Sequence, residues 1–310
     1  MEFRQLGKSG LTVSVAGLGC NNFGVRCDFD QSKAVINAAL DNGITLFDTA
    51  DIYGGRGGSE TILGKVLKHQ RDQVILATKF GMDMGDPYQA RGSRKYIRHA
   101  IEASLLRLQT DYLDLYQFHQ PDPLTPIEET MDAMDELVKE GKVRYIGSSN
   151  FAGWQIAEAE MISRMAHSER FISAQNHYSL IEHQVETEVI PACVNFGVGM
   201  LPYFPLAGGL LTGKFRRGEE PPQGTRLAGR REDLESANWY VIETLSDMAK
   251  SLGGTLLDVA ISALASKPAV SSVIAGATRP EQVEANVKAL ELNLSADDLK
   301  KIKEITGSLY

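Results

Sequence analysis

Gly17-Leu18-Gly19-Cys20-Asn21-Asn22 is the stretch whose reading decides between two folds. It overlaps and follows the first apolar run, Val15–Leu18, where a dinucleotide-binding doubly wound sheet carries G-x-G-x-x-G. Asn22 stands where the third glycine belongs. Further short runs of strand character follow at Ile44–Phe47, Val74–Lys79, Leu113–Phe118, Val143–Gly147, Phe171–Gln175, Gly199–Tyr203 and Ser271–Ile274. Helix-period segments separate them. Eight strands, each followed by a helix, make either a closed (β/α)8 barrel or an open doubly wound sheet. The strand count and the missing glycine both favour the TIM barrel.

The chain has 310 residues, 43% hydrophobic and 23% charged, which excludes a disordered or collagen-like polymer and supplies a large core. No polar linker or composition shift divides it, so residues 1–310 are expected to form a single α/β domain. Thirty-two basic against 40 acidic side chains leave a net charge of −8, which argues against nucleic acid or an anionic membrane as the main partner. Cys20, Cys27 and Cys193 form no C-x-x-C pair. Together with the absence of an apolar leader behind Met1, they point to a reducing cytoplasmic setting.

Within this frame, Phe3–Leu6 and Thr12–Val13 read as a hairpin capping one barrel mouth. Ile97, Ile101, Leu105 and Leu108 mark one face of a helix. Thr125-Pro126-Ile127-Glu128 reads as a capping box with proline at the first helical position, and Gly141 as that helix's stop. Val189–Gly213 carries no charge, but three prolines and five glycines argue for a buried strand with turns rather than a membrane span. Pro205 to Asp233, after the seventh strand, reads as a long functional loop over a ligand. The last helix is expected from Ser295.

A barrel places its active site at the carboxyl ends of the strands. Those ends supply Asp48 and Tyr53, then Lys79, His119, Ser149 with Asn150, Gln175, Tyr203, and Gly276-Ala277-Thr278-Arg279-Pro280. Carboxylate, phenol, ammonium and imidazole around one mouth suit acid catalysis of carbonyl reduction. A nearby ammonium is expected to lower the phenol's pKa, the carboxylate keeps the lysine charged, and the imidazole orients the carbonyl oxygen. None of these side chains is a reductant, so a hydride donor is required.

Asp48-Thr49-Ala50-Asp51-Ile52-Tyr53-Gly54, Lys79 at a strand end, Leu115-Tyr116-Gln117-Phe118-His119 and Gly147-Ser148-Ser149-Asn150-Phe151 resemble the aldo-keto reductases along essentially the whole chain. The resemblance implies NADP(H) lying extended across the carboxyl face and a catalytic tetrad of Asp48, Tyr53, Lys79 and His119. It implies that Ser149, Asn150 and Gln175 hold the nicotinamide carboxamide while Tyr203 stacks on its ring. Phe204 departs from the family's usual serine, and Pro205 and Leu206 follow it. Gly208, Gly209, Lys214 and Arg226 look like the belt over the pyrophosphate. Gly276, Thr278, Arg279, Gln282 and Asn286 look like the adenosine 2′-phosphate and adenine site, with Ala285 where many relatives carry an acid. Gly19, Cys20 and Asn21 complete the cofactor set, Cys20 being either pocket-lining or an ordinary buried thiol.

Gly208 through Lys214 also spells a phosphate-loop core, G-x-x-x-x-G-K, but Phe215 replaces the required Ser or Thr and no helix pattern starts there. His69, His99, His167, His177 and His183 lack metal-ligand spacing, so no metal is expected. The substrate is expected to be a small carbonyl or alcohol compound, walled by residues 80–93, by Asn21, Asn22 and Phe23, and by the belt. The protein is expected to be a monomer or weak homo-oligomer. The alternative reading is an NADP(H)-binding regulatory subunit, like the barrel-shaped channel subunits that resemble the same family.

Overall fold

The computed structural model describes residues 1–310. Phe3–Gln5 (β1) pairs antiparallel with Thr12–Ser14 (β2) as a hairpin. The next eight strands are Ala16–Gly19 (β3), Leu46–Asp48 (β4), Ile75–Phe80 (β5), Leu113–Phe118 (β6), Val143–Ser149 (β7), Phe171–Gln175 (β8), Gly199–Met200 (β9) and Val273–Gly276 (β10). They form one parallel sheet in the order β10-β3-β4-β5-β6-β7-β8-β9. Backbone bonds close the seam between β9 and β10: Met200 N–H donates to Ala269 O at 2.7 Å, Ser271 N–H to Met200 O at 3.0 Å and Ile274 N–H to Pro202 O at 3.1 Å. The fold is a (β/α)8 barrel.

Alternation along the strands decides what fills it. Leu46, Ala77 and Leu115 belong to one small buried cluster with Leu6, Leu11 and Val13 of the hairpin, which plugs the amino end. Two residues further along the same strands, on the same face, stand Asp48, Lys79 and Gln117, all buried. One period-2 pattern therefore gives the barrel an apolar base and a polar upper layer. The outward residues, such as Phe47, Leu76 and Tyr116, join the larger core against the helices. Gly7 seals the base: it lies at φ +59°, and a Cβ there would stand 2.5 Å from Gly197 O.

Several local expectations need correction. The helix at Ile127–Lys139 has no capping box; Pro126 is its cap residue, and Thr125 Oγ1 donates to Asp122 Oδ2 at 2.7 Å instead. Pro126 lies at ψ 135°, extended backbone, so it stands just outside the helix. Gly141 does follow its end, at φ +77°. The uncharged stretch opens with a helix, Val189–Phe196, rather than a strand. Pro191 is tolerated there because it falls in the first turn, where no intrahelical N–H is needed. The regular seventh strand is only Gly199–Met200, but its bonds to β8 continue through the N–H groups of Leu201 to Ala174 O at 2.9 Å and Tyr203 to Asn176 O at 3.1 Å, with Pro202 at the intervening position that does not donate to β8. The loop after it contains turns at Ala207–Thr212 and Arg226–Gly229 and a short helix, Arg231–Glu235. No single helix is long and apolar enough to cross a membrane; Trp239–Ser251 and Leu256–Ala265 qualify only as a pair, bent by 93°.

Candidate active site

Lys79 is fully buried, and its ammonium donates to Asp48 Oδ2 at 2.6 Å and to Thr49 O at 2.8 Å. The other carboxylate oxygen, Asp48 Oδ1, accepts from Gln175 Nε2 at 2.8 Å and Gln117 Nε2 at 3.2 Å. Such a buried pair is tenable only when its remaining lone pairs are satisfied, and here they are. Above it, the Tyr53 ring lies 5.1 Å from Lys79 Nζ and edge-on to His119, 5.8 Å between centroids. Tyr53 sits at the head of a tight left-handed turn, Tyr53–Arg56, which Gly54 and Gly55 at φ +72° and +75° make possible.

These neighbours set the charges. Burial opposes the Lys79 ammonium, but Asp48 and then Tyr53 outweigh it and its pKa is raised. Tyr53 departs from the expectation of a lowered value. Burial pushes its phenol up, Lys79 pulls it down, and the net direction is up. Burial, helped by Lys79, pushes His119 down to about 3, so the imidazole is neutral at pH 7.

A cleft of about 1260 Å³ opens over this floor. It exceeds the roughly 300–1,000 Å³ of a site for one small ligand. At one end are Asp48, Tyr53, His119, Ser149, Asn150, Gln175 and Tyr203; the wall continues through Gly19, Asn21, Phe204, Pro205, Leu206, Gly208, Gly209, Lys214 and Arg226 to Gly276, Thr278, Arg279, Gln282 and Asn286. Every nominated residue lines it except Lys79, which lies beneath the floor, and Cys20. Cys20 is fully buried, its Sγ 3.5 Å from Leu18 O, and burial raises its pKa well above that of a free thiol. It is the ordinary buried thiol. Of the expected substrate wall, Asn21 and Asn22 line the cleft, whereas Phe23 is buried in the core.

Side chains in the cleft are tied to one another. Asn150, at φ +58°, donates to His119 O at 2.9 Å and accepts from Tyr203 OH at 2.8 Å. Ser149 Oγ donates to Gln175 O at 2.9 Å. Arg226 crosses from the belt, donating to Asn22 Oδ1 at 3.1 Å with its guanidinium 5.2 Å from the Phe204 centroid. At the far end Gln282 Oε1 accepts from Thr278 N at 2.7 Å and Oγ1 at 3.1 Å. Arg279 precedes the Pro280–Lys288 helix without capping it through its side chain. Exposed Arg279, beside the helix's amino terminus, suits an anionic group, and exposed Lys288, at its carboxyl end, adds a second cation to the same wall. The cleft thus fits a long ligand carrying negative charge away from the buried floor.

One positioning residue, Gln117, went unassigned in the sequence, and another, Asn22, was expected in the pocket wall but not as a tether. Gln117 falls two residues before His119 on an inward-facing strand, so alternation could have found it. Asn22, which joins Ala277 O to Arg226, carries no such signal because both partners are distant in the chain. No group of three or more His, Cys, Asp or Glu side chains is arranged to hold a metal ion.

Comparison with known proteins agrees with this architecture. An uncharacterized oxidoreductase of Bacillus subtilis (strain 168) is 40% identical, over 98% of this chain and 96% of its own. The L-glyceraldehyde 3-phosphate reductase of Escherichia coli (strain K12) is 35% identical over 98% and 92%. A probable voltage-gated potassium channel subunit beta of Arabidopsis thaliana is also 35% identical, over 99% and 97%. The Aldo/keto reductase family profile matches residues 16–306, and the chain belongs to that family.

Proposed function

We propose that this chain is a cytoplasmic, NADPH-dependent reductase of aldehydes and ketones, working as one barrel domain over residues 1–310 with Tyr53 as its general acid. The family is one of oxidoreductases that use a nicotinamide cofactor. The observation carrying the proposal is the buried Asp48–Lys79 pair, 2.6 Å apart, beneath Tyr53 and His119 at one end of the long cleft. The reduced nicotinamide supplies the hydride.

The protein's own groups handle the proton. A phenol with a raised pKa stays protonated at neutral pH, as an acid must until the alkoxide develops. When the proton leaves, Lys79 stabilises the phenolate, and Asp48 with Gln117 and Gln175 holds Lys79 in place. Neutral His119 presents an N–H to the carbonyl oxygen without competing for the proton. Ser149, Asn150, Gln175 and Tyr203 would hold the nicotinamide, the belt from Leu206 to Arg226 would bind the pyrophosphate, and Arg279 with Thr278 would take the 2′-phosphate. Three free, buried cysteines accord with a reducing compartment.

Steady-state NADPH oxidation against aliphatic, aromatic, dicarbonyl and sugar aldehydes tests the proposal, with NADH in parallel. Turnover of at least one class with a preference for NADPH supports it. The likeness to a channel subunit beta favours a second reading, a cofactor-binding regulator. Tight NADPH binding with negligible turnover of every carbonyl would decide for that one.

A further inference from the structure

Asp51 lies between Asp48 and Tyr53 in the chain and has no role in the chemistry above. It is 1% exposed, and neither carboxyl oxygen has a side-chain partner or a well-formed hydrogen bond; only the backbone N–H of Ile52 lies near enough to favour the charged form, and burial outweighs it. The charges facing it are already matched. From the Gly58–Leu67 helix comes Glu60, bound by Arg107 of the Arg94–Leu108 helix at 2.6 Å; from β5 comes Lys79, bound by Asp48 at 2.6 Å. Two cations meet two carboxylates, and Asp51 is the third. Its remaining neighbours are phenols. Tyr116 of β6 has a buried hydroxyl with no partner, and Tyr96 uses its hydroxyl on Met82 O at 3.3 Å. An unpaired buried carboxylate is costly enough that the group neutralises instead.

We propose that Asp51 is a positioning residue for Tyr53 that works only as the neutral acid, so that its ionisation opens the Asp51–Tyr53 turn and withdraws the phenol from His119. The inference rests on the reductase reading. The turn is short and closely held: Asp51 N–H donates to Lys79 O at 3.0 Å and Tyr53 N–H to Ala50 O at 3.1 Å. Hydrating a charge at residue 51 must disturb those bonds. Burial, with Glu60 adding to it, raises the Asp51 pKa to about 8. The other titrating groups of the floor are silent in that range: His119 is pushed down to about 3, while Tyr53, Lys79 and Cys20 are all raised above their ordinary values. An activity limb near pH 8 therefore has one owner.

The sign of the stability effect follows. A carboxyl whose folded pKa exceeds its unfolded value near 3.8 loses stability as pH rises from there to about 8, and is flat above. Asp51→Asn copies the neutral acid in shape and cannot ionise. Its Tm should match wild type near pH 4 and exceed it by roughly 7–11 °C above pH 8. Its kcat at pH 7 should stay within about twofold of wild type, while wild-type kcat falls about tenfold per unit above pH 8 and the variant's does not. Asp51→Ala should lose kcat with KM little changed, and Asn should restore it. A Tm difference that does not change with pH, or an alkaline limb shared by wild type and Asp51→Asn, overturns the inference even in an active reductase. Wild-type protein inert toward every carbonyl breaks the reductase reading instead, and the Tm series still reports on Asp51.

Discussion

The two ends of the cleft are built on opposite principles. At the floor, Lys79 and Asp48 are buried and every strong polar contact they need is supplied by the barrel itself. At the far end, Arg279 and Lys288 are exposed, and only Gln282 is engaged with its neighbours, through Thr278. One end is finished without a ligand; the other is solvated and gains partners only when an anion arrives. Changes at the floor should therefore cost turnover and stability together, whereas changes at the far end should cost affinity alone.

Lys79→Met strikes the floor hardest. It leaves Asp48 buried without its cation, which costs about 3–5 kcal/mol where no relaxation compensates, so Tm should fall clearly. It also removes the group that draws the Tyr53 pKa down, so kcat should drop at least about 100-fold and any residual alkaline limb should move upward. Differential scanning calorimetry with a pH–rate profile checks both; unchanged Tm and limb would make the floor no different from the far end.

Arg279→Ala should do the reverse. Losing a charge-assisted contact to the 2′-phosphate costs roughly 1.5–3 kcal/mol, or about 10- to 150-fold in NADPH Kd. NADH Kd and Tm should hardly move. Equal losses for both cofactors in a binding titration would take Arg279 off the 2′-phosphate.

Between the ends, Arg226→Ala removes a contact with the Phe204 ring and a hydrogen bond to Asn22. About 1–2 kcal/mol is at stake, so NADPH should dissociate roughly 5- to 30-fold faster in stopped-flow measurements. An unchanged off-rate would mean that the belt does not hold the cofactor.

The His119 effect is silent at neutral pH and shows only in acid. Its folded pKa of about 3 lies below the ordinary value of 6.5, so it contributes no acid limb near 6.5. It makes the fold less stable as pH falls from 6.5 toward 3, because the unfolded state then binds the extra proton. A shallower acid slope of Tm in His119→Asn would show this.

What the sequence disclosed divides along the same line. Asp48, Lys79 and His119 follow from the strand ends, which periodicity fixes within a few residues. The missing third glycine at Asn22, with the strand count, favoured the barrel over the open sheet without any knowledge of tertiary contacts. The net direction of the Tyr53 pKa was not legible, because burial and Lys79 act oppositely and only the depth of the site shows which prevails. The contact that ties the loop after Lys79 to the Arg94–Leu108 helix was not legible either. Tyr96 ties Met82 down, a contact that neither composition nor spacing reveals. Thr125 looked like a helix cap but is bound to Asp122, since both kinds of site use the same short polar side chains.

Tyr53→Phe tests the central claim most directly, since it removes one oxygen from the floor and nothing from the far end. Single-turnover oxidation of NADPH with the best carbonyl should slow by at least about 100-fold, with NADPH Kd unchanged within about twofold. A variant that reduces the same carbonyl at nearly the wild-type rate, with cofactor still bound, would contradict the assignment of Tyr53 as the acid.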